Sequence, residues 1–194
     1  MVMDLRDKGN GPGRRTLLKS AAFGMFAFSV AGIDMLLSPQ EARARDAALT
    51  VLSHDEAALL EAFGEALVPG ARVAGIAHFV DANLARPHAQ SLLTARYLDV
   101  LPPHDAFYRE GLAALDRASH AALGAPFVQV SAEQAKPLIA AMLPGTIAPW
   151  HGPPPALFYL AVRSDAADLV YGTPAAFARM NVPYMPHIAP PGDW

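Results

Sequence analysis

Cysteine is absent from this 194-residue chain. Disulfides, thiolate zinc sites, Cys-ligated iron–sulfur clusters and covalent c-type haem are therefore excluded within it. A large excess of charge of one sign is lacking as well. The formal net charge is −3, so no strong general attraction for nucleic acid is expected. No G-x-G-x-x-G follows a strand pattern, and no G-x-S-x-G elbow is present. None of the seven His falls into H-x-x-x-H or H-E-x-x-H spacing. Regular apolar–polar alternation with hairpin turns is also lacking, which argues against a sheet-based fold. What remains is apolar. Hydrophobic residues make up 53% of the chain, enough to build a sizeable core.

The N-terminal stretch carries the most specific pattern. Arg14 and Arg15 are adjacent, and Leu17, Leu18 and Lys19 follow one residue later. This is the twin-arginine export pattern. An uncharged, mostly apolar run occupies residues 20–33 and Asp34 closes it. As a helix the run would reach only ~20 Å, short of a ~30 Å hydrocarbon core. Pro39 follows, and Ala42-Arg43-Ala44 supplies an A-x-A cleavage site. Residues 1–44 therefore read as a signal peptide, with a retained, uncleaved anchor and, behind it, a basic tail leading into an amphipathic core helix as the alternatives. Removing them leaves nine Lys/Arg against fourteen Asp/Glu. The expected location is the periplasm, peripheral to the inner membrane if the leader is kept.

Residues 45–172 read as an all-α domain, an irregular bundle of about six helices. Ser53 and Glu56 form a capping box for a helix over 54–68, which stops at Pro69-Gly70. Further helices are expected over 75–86, 89–98, 105–123, 132–142 and 156–170. Ser131 with Gln134 repeats the capping box, and Gly124 suits a helix C-terminus. Residues 173–194 are apolar, aromatic and broken by Pro, which predicts an extended arm.

Several side chains invite a chemical reading. His78 and Asp81 are three apart on one helix face and would serve as two metal ligands only with a third and fourth from far along the chain; a surface or capped helical His78 is the preferred reading. His151 lies in a Pro-rich loop beside Trp150. Met142, Met180 and Met185 suit core filling or an interface better than haem ligation. Asp55 and Glu56 sit in a helix's first turn, where the macrodipole explains them. Asp165 and Asp168 read as a solvated face. Arg109 and Asp116, two turns apart, suggest a structural ion pair or a partner contact, and Arg163 has no evident partner. No residue emerges as catalytic, cofactor-binding or metal-binding. Trp150, Phe158, Tyr159, Tyr184 and Trp194 are candidates for a partner interface, because aromatics bury much area per residue. Tyr108, Arg109 and His151 join them as interface candidates, and for each of the five aromatics burial within this chain is an equal alternative.

The order of motifs resembles the gluconate 2-dehydrogenase subunit 3 family. The resemblance runs over residues 52–170. It rests on Leu52-Ser53 with Asp55-Glu56, Val68-Pro69-Gly70, and Ala74-Gly75 with Phe79-Val80-Asp81. Pro102-Pro103, Phe107-Tyr108-Arg109, Gly111-Leu112, Leu115-Asp116, Gly124, Pro126-Phe127 and Ser131 with Gln134 complete it. The family usually continues into a Gly- and Asn-rich turn and a Trp-containing segment; here Gly172-Thr173-Pro174 leads into a Pro-rich tail.

The resemblance implies a non-catalytic accessory subunit. Its partner would be an FAD-dependent catalytic subunit of glucose–methanol–choline type, oxidising a gluconate, sugar or alcohol CH–OH group. FAD and haem c would belong to partner subunits, the latter to a cytochrome c chain, and the twin-arginine translocase would be met during export. The competing readings are a self-sufficient periplasmic helical enzyme and a haem- or ligand-binding module.

Overall fold

The computed structural model describes residues 24–183. The twin-arginine motif and the last eleven residues, with Tyr184, Met185 and Trp194, lie outside them. Among the described residues the chain forms nine α-helices and one two-stranded sheet. The class is mostly helical, as the periodicity indicates, with more and shorter helices than six.

In chain order the elements are β1 (Phe26–Val30), β2 (Ile33–Leu37), α1 (Pro39–Ala44), α2 (His54–Leu67), α3 (Ala71–Ala74), α4 (Ile76–Leu84), α5 (Thr94–Tyr97), α6 (His104–Leu123), α7 (Ala132–Met142), α8 (Pro155–Tyr171) and α9 (Pro174–Arg179). Helix starts follow local chemistry. Ser38, Ser53 and Ser131 each accept a hydrogen bond from the backbone N–H three residues on. Glu41, Glu56 and Gln134 return the favour to the cap backbone. Each box satisfies two donors that a helix end would otherwise leave unpaired.

The centre of the core is aromatic. Phe63 of α2 stacks on Phe158 of α8, with ring centroids 5.5 Å apart and planes at 12°. Phe127 meets Phe63 edge-on at 5.8 Å, and Phe107 of α6 meets Phe158 at the same distance. Leu60, Leu112, Leu115 and Val162 fill in around them, all buried. Gly111 makes the α6–α8 approach feasible. A Cβ there would stand 2.4 Å from the Phe158 ring, far inside van der Waals contact.

The folded core begins well ahead of residue 45. Phe26, Phe28 and Leu37 of the hairpin are buried, and Ala42 of α1 is fully so. Burying each of the three large side chains is worth about 1.5–3 kcal/mol gross. Phe26 meets Phe79 of α4 edge-on at 5.8 Å, and Phe28 meets His78 at 5.9 Å. A short α1 follows and crosses α4 closely. Gly75, at φ 85°, caps α3 and opens α4. A Cβ on it would lie 2.2 Å from the Pro39 carbonyl oxygen. Glycine thus meets two demands there, left-handed backbone and backbone contact. Arg43 of α1 completes the attachment by an ion pair to Glu61 of α2 at 2.8 Å.

Four features depart from the sequence reading, each for a local reason. The hairpin was unexpected. Phe26 and Phe28 point inward with Ala27 exposed between them, and Ala31-Gly32 turns the chain with both φ angles positive, as a two-residue hairpin requires. The Ala42-Arg43-Ala44 triplet, the expected A-x-A cleavage site, lies in the helix α1. The expected helix over 89–98 is broken into a 3₁₀ turn (His88–Gln90) and α5. Asn83 Oδ1 accepts from Leu92 N at 2.9 Å and Asp165 accepts from Thr94 N at 2.8 Å, so side chains capture donors that a continuous helix would use internally. The C-terminal stretch starts with a helix, not an extended arm. Thr173 caps α9, and Pro174 fits at its first turn, where no N–H is needed.

Candidate functional site

Two buried carboxylates organise the interior, and both take backbone donors. Asp81, in the middle of α4, is buried. Its Oδ2 accepts from Thr50 N, and its Oδ1 from both Val51 N and Leu52 N, each at 2.8 Å. Asp81 thereby fixes the bend at residues 50–52 that leads to Ser53 and the start of α2. One turn earlier, His78 Nε2 lies 3.1 Å from the Ala47 carbonyl oxygen and donates to it when Nε2 carries the proton. His78 and Asp81 are both engaged with backbone. They share a face, as expected, but both are buried and both hold residues 47–52 down on α4.

Arg109 of α6 reaches the same loop from the other side. Its guanidinium donates to the Val51 carbonyl and pairs with Glu56 at 3.3 Å and Asp105 at 3.7 Å. Asp116 is not its partner. Asp116 Oδ1 accepts from Phe127 N at 2.8 Å, and its Oδ2 lies 3.6 Å from His120. Arg109 remains partly exposed, so it belongs both to the structural clasp and to the surface.

A second buried carboxylate corrects the reading of Asp165 as solvated. Asp165 of α8 is 1% exposed. Its Oδ2 accepts from the Tyr108 hydroxyl at 2.6 Å and its Oδ1 from Thr94 N at 2.8 Å. Burial raises its pKa from the ordinary carboxylate value to about 6, against the two hydrogen bonds, which favour the ionised form. The Tyr108 hydroxyl is pushed well upward, first by burial and then by the Asp165 charge, so it remains a neutral donor. This pin joins α5, α6 and α8. Sequence spacing gives no hint of it, since Thr94, Tyr108 and Asp165 are distant along the chain.

Tyr108 and Phe158 are therefore not surface residues. Both have zero exposed area. The other expected contacts stay near the surface. Trp150 is half-buried, its Nε1 donating to Pro153 O at 2.7 Å, with its ring 6.3 Å from Phe158. His151 is exposed, and its carbonyl accepts from Arg117 at 2.6 Å. Tyr159 is partly exposed. Two exposed apolar residues missed by the sequence reading precede α6: Tyr97 is 66% and Leu101 84% exposed. Surface position was not readable there, because the broken helix could not be foreseen. Among the described residues, no group of three or more His, Asp or Glu could hold a metal ion. No described helix is long and apolar enough to cross a membrane.

This interior, with its carboxylates spent on backbone donors and a tyrosine, defines a mostly helical domain, with partly exposed aromatic and apolar side chains at its rim. The chain belongs to the gluconate 2-dehydrogenase subunit 3 family, whose model matches residues 54–192. The match bears out the resemblance seen in the motifs and carries it beyond residue 170. No curated protein and no solved structure matches the chain.

Proposed function

We propose that this chain is the non-catalytic small subunit of a periplasmic FAD-dependent dehydrogenase of the glucose–methanol–choline type, and that it supports export, assembly and stability of the catalytic subunit. The family match over residues 54–192 carries the reading. Arg14-Arg15 with Leu17, Leu18 and Lys19 supports the export role. The interior supports the accessory role, because Asp81, His78, Asp116 and Asp165 are engaged in holding loops and helices together. In this reading FAD and haem c sit on partner chains, the haem on a cytochrome c subunit. Trp150, His151, Tyr159 and the exposed edge of Arg109 are surface available to those partners.

The test is deletion of this chain alone in a cell that makes the whole complex. The flavoprotein should then accumulate in the cytoplasm or be degraded, and periplasmic dehydrogenase activity should disappear. Normal export of active flavoprotein without this chain would overturn the proposal. Replacing Arg14 and Arg15 by Lys should reproduce the export defect without lowering the stability of the purified chain.

A further inference from the structure

The residues that complete the leader pattern also complete the fold. Residues 26–33 belong to the apolar run behind the twin arginines, and in the structure they form β1, the turn and the start of β2. Phe26 and Phe28 are buried against Phe79 and His78 of α4. Arg86, just past α4, lies over the Phe26 ring at 4.2 Å. Ala48 N donates to Ser29 O at 2.9 Å, tying the hairpin to the loop that Asp81 holds. The body is shaped for this segment, since Gly75 leaves room for the Pro39 carbonyl where any side chain would collide.

A leader peptidase reads its target as an extended strand with small side chains presented to it. Ala42-Arg43-Ala44 is not extended, and of its two alanines only Ala44 is exposed. Ala42 N bonds to Ser38 O at 2.9 Å and Arg45 N to Glu41 O at 3.0 Å, so the triplet lies inside a hydrogen-bonded helix. The Ala42 side chain has no exposed area. Arg43 is engaged with Glu61 through two nitrogens, at 2.8 and 3.3 Å. Cutting after Ala44 requires unwinding α1, breaking that pair and emptying the seat over Gly75.

We propose that residues 26–44 are a permanent part of the folded subunit and that the bond after Ala44 is not a processing site in the folded chain. Any removable leader ends ahead of Phe26. Residues 26–33 cannot be inserted as an apolar leader and docked as a hairpin at the same moment, so in this reading the hairpin docks once passage is complete.

Two measurements on the full-length chain test this. In the first, the chain is recovered from the periplasmic fraction and its intact mass determined. An N-terminus at or ahead of Gly24 is expected, and one at Arg45 overturns the proposal. In the second, the Arg43–Ala44 bond is challenged with trypsin in the wild type and in Phe26→Asp, with helical content followed by circular dichroism. The bond should resist in the wild type and be cut roughly tenfold faster or more in the variant, because local opening sets the rate. Rapid cutting in the wild type, or equal rates, overturns the proposal. Should the chain appear only in the cytoplasm, the export role fails, and the trypsin comparison still decides the status of residues 26–44.

Discussion

Two buried carboxylates anchor two regions of this molecule, and they do so with different donors. Asp81 holds residues 50–52, and with them the approach to α2, through three backbone N–H groups. Asp165 ties α8 to α5 and α6 through one backbone N–H and one tyrosine hydroxyl. A backbone amide can only donate, whereas a hydroxyl can donate or accept. The Asp81 clasp is therefore committed to a carboxylate, and the Asp165 pin can be rebuilt with a different hydrogen-bond pattern. Two side chains of one type thus differ in how replaceable they are, and the difference lies in their partners.

The largest expected effect is Asp81→Asn. The amide keeps one acceptor oxygen, but its NH₂ must face a donor at Thr50 or at the Val51–Leu52 pair. At least one buried N–H is left unpaired and another donor group is forced against it. A loss of about 3 kcal/mol in unfolding free energy is expected, read as a shift in the denaturant midpoint of the purified full chain. Hydrogen exchange should quicken first in residues 46–52. Next in size is Tyr108→Phe, which leaves the ring in place but deprives Asp165 Oδ2 of its donor. About 2 kcal/mol is expected at neutral pH, together with a further rise in the Asp165 pKa. If Tyr108→Phe costs more than Asp81→Asn, the contrast between the two anchors is wrong.

Sequence reading reached the parts of this fold that are local. The Ser53–Glu56 and Ser131–Gln134 boxes, the stop at Pro69-Gly70 and the cap at Gly124 are all where residue chemistry placed them. Those signals act over three or four residues. The anchors do not. Asp165 looks solvated beside Asp168 because its partners are 71 and 57 residues away. Asp81 was noticed beside His78, yet its three partners lie about 30 residues upstream. The hairpin was hidden for another reason. Its alternation is only five residues long, its turn is Ala-Gly and not Asn-Gly, and the stretch equally satisfies a leader's apolar run. One segment carried two consistent local patterns, and only the docking on α4 separates them.

The smallest expected effect sharpens the comparison most. In Asp165→Asn the amide oxygen accepts from Thr94 N, and the amide nitrogen donates to a Tyr108 hydroxyl that has turned to accept. The loss at pH 7 should stay within about 1 kcal/mol. The pH profile should change far more. Asp165 titrates near 6 in the folded protein and near 3.9 in an unfolded chain, so between these values the folded state holds more proton. Its stabilising contribution is complete below about pH 4 and is lost as pH rises through about 6. Two pKa units correspond to at most ~3 kcal/mol, and about 2 is expected after local relaxation. Other carboxylates also titrate in this window, and Glu41, whose pKa is lowered by its bonds with Ser38, has the opposite sign. The quantity to measure is therefore the difference between wild type and Asp165→Asn at each pH from 3.5 to 7.5, by denaturant unfolding. That difference should slope downward for the wild type between about 4 and 6 and be flat above about 7. A flat difference throughout would mean that Asp165 is solvated after all, and that the pin joining α5, α6 and α8 is not closed in solution.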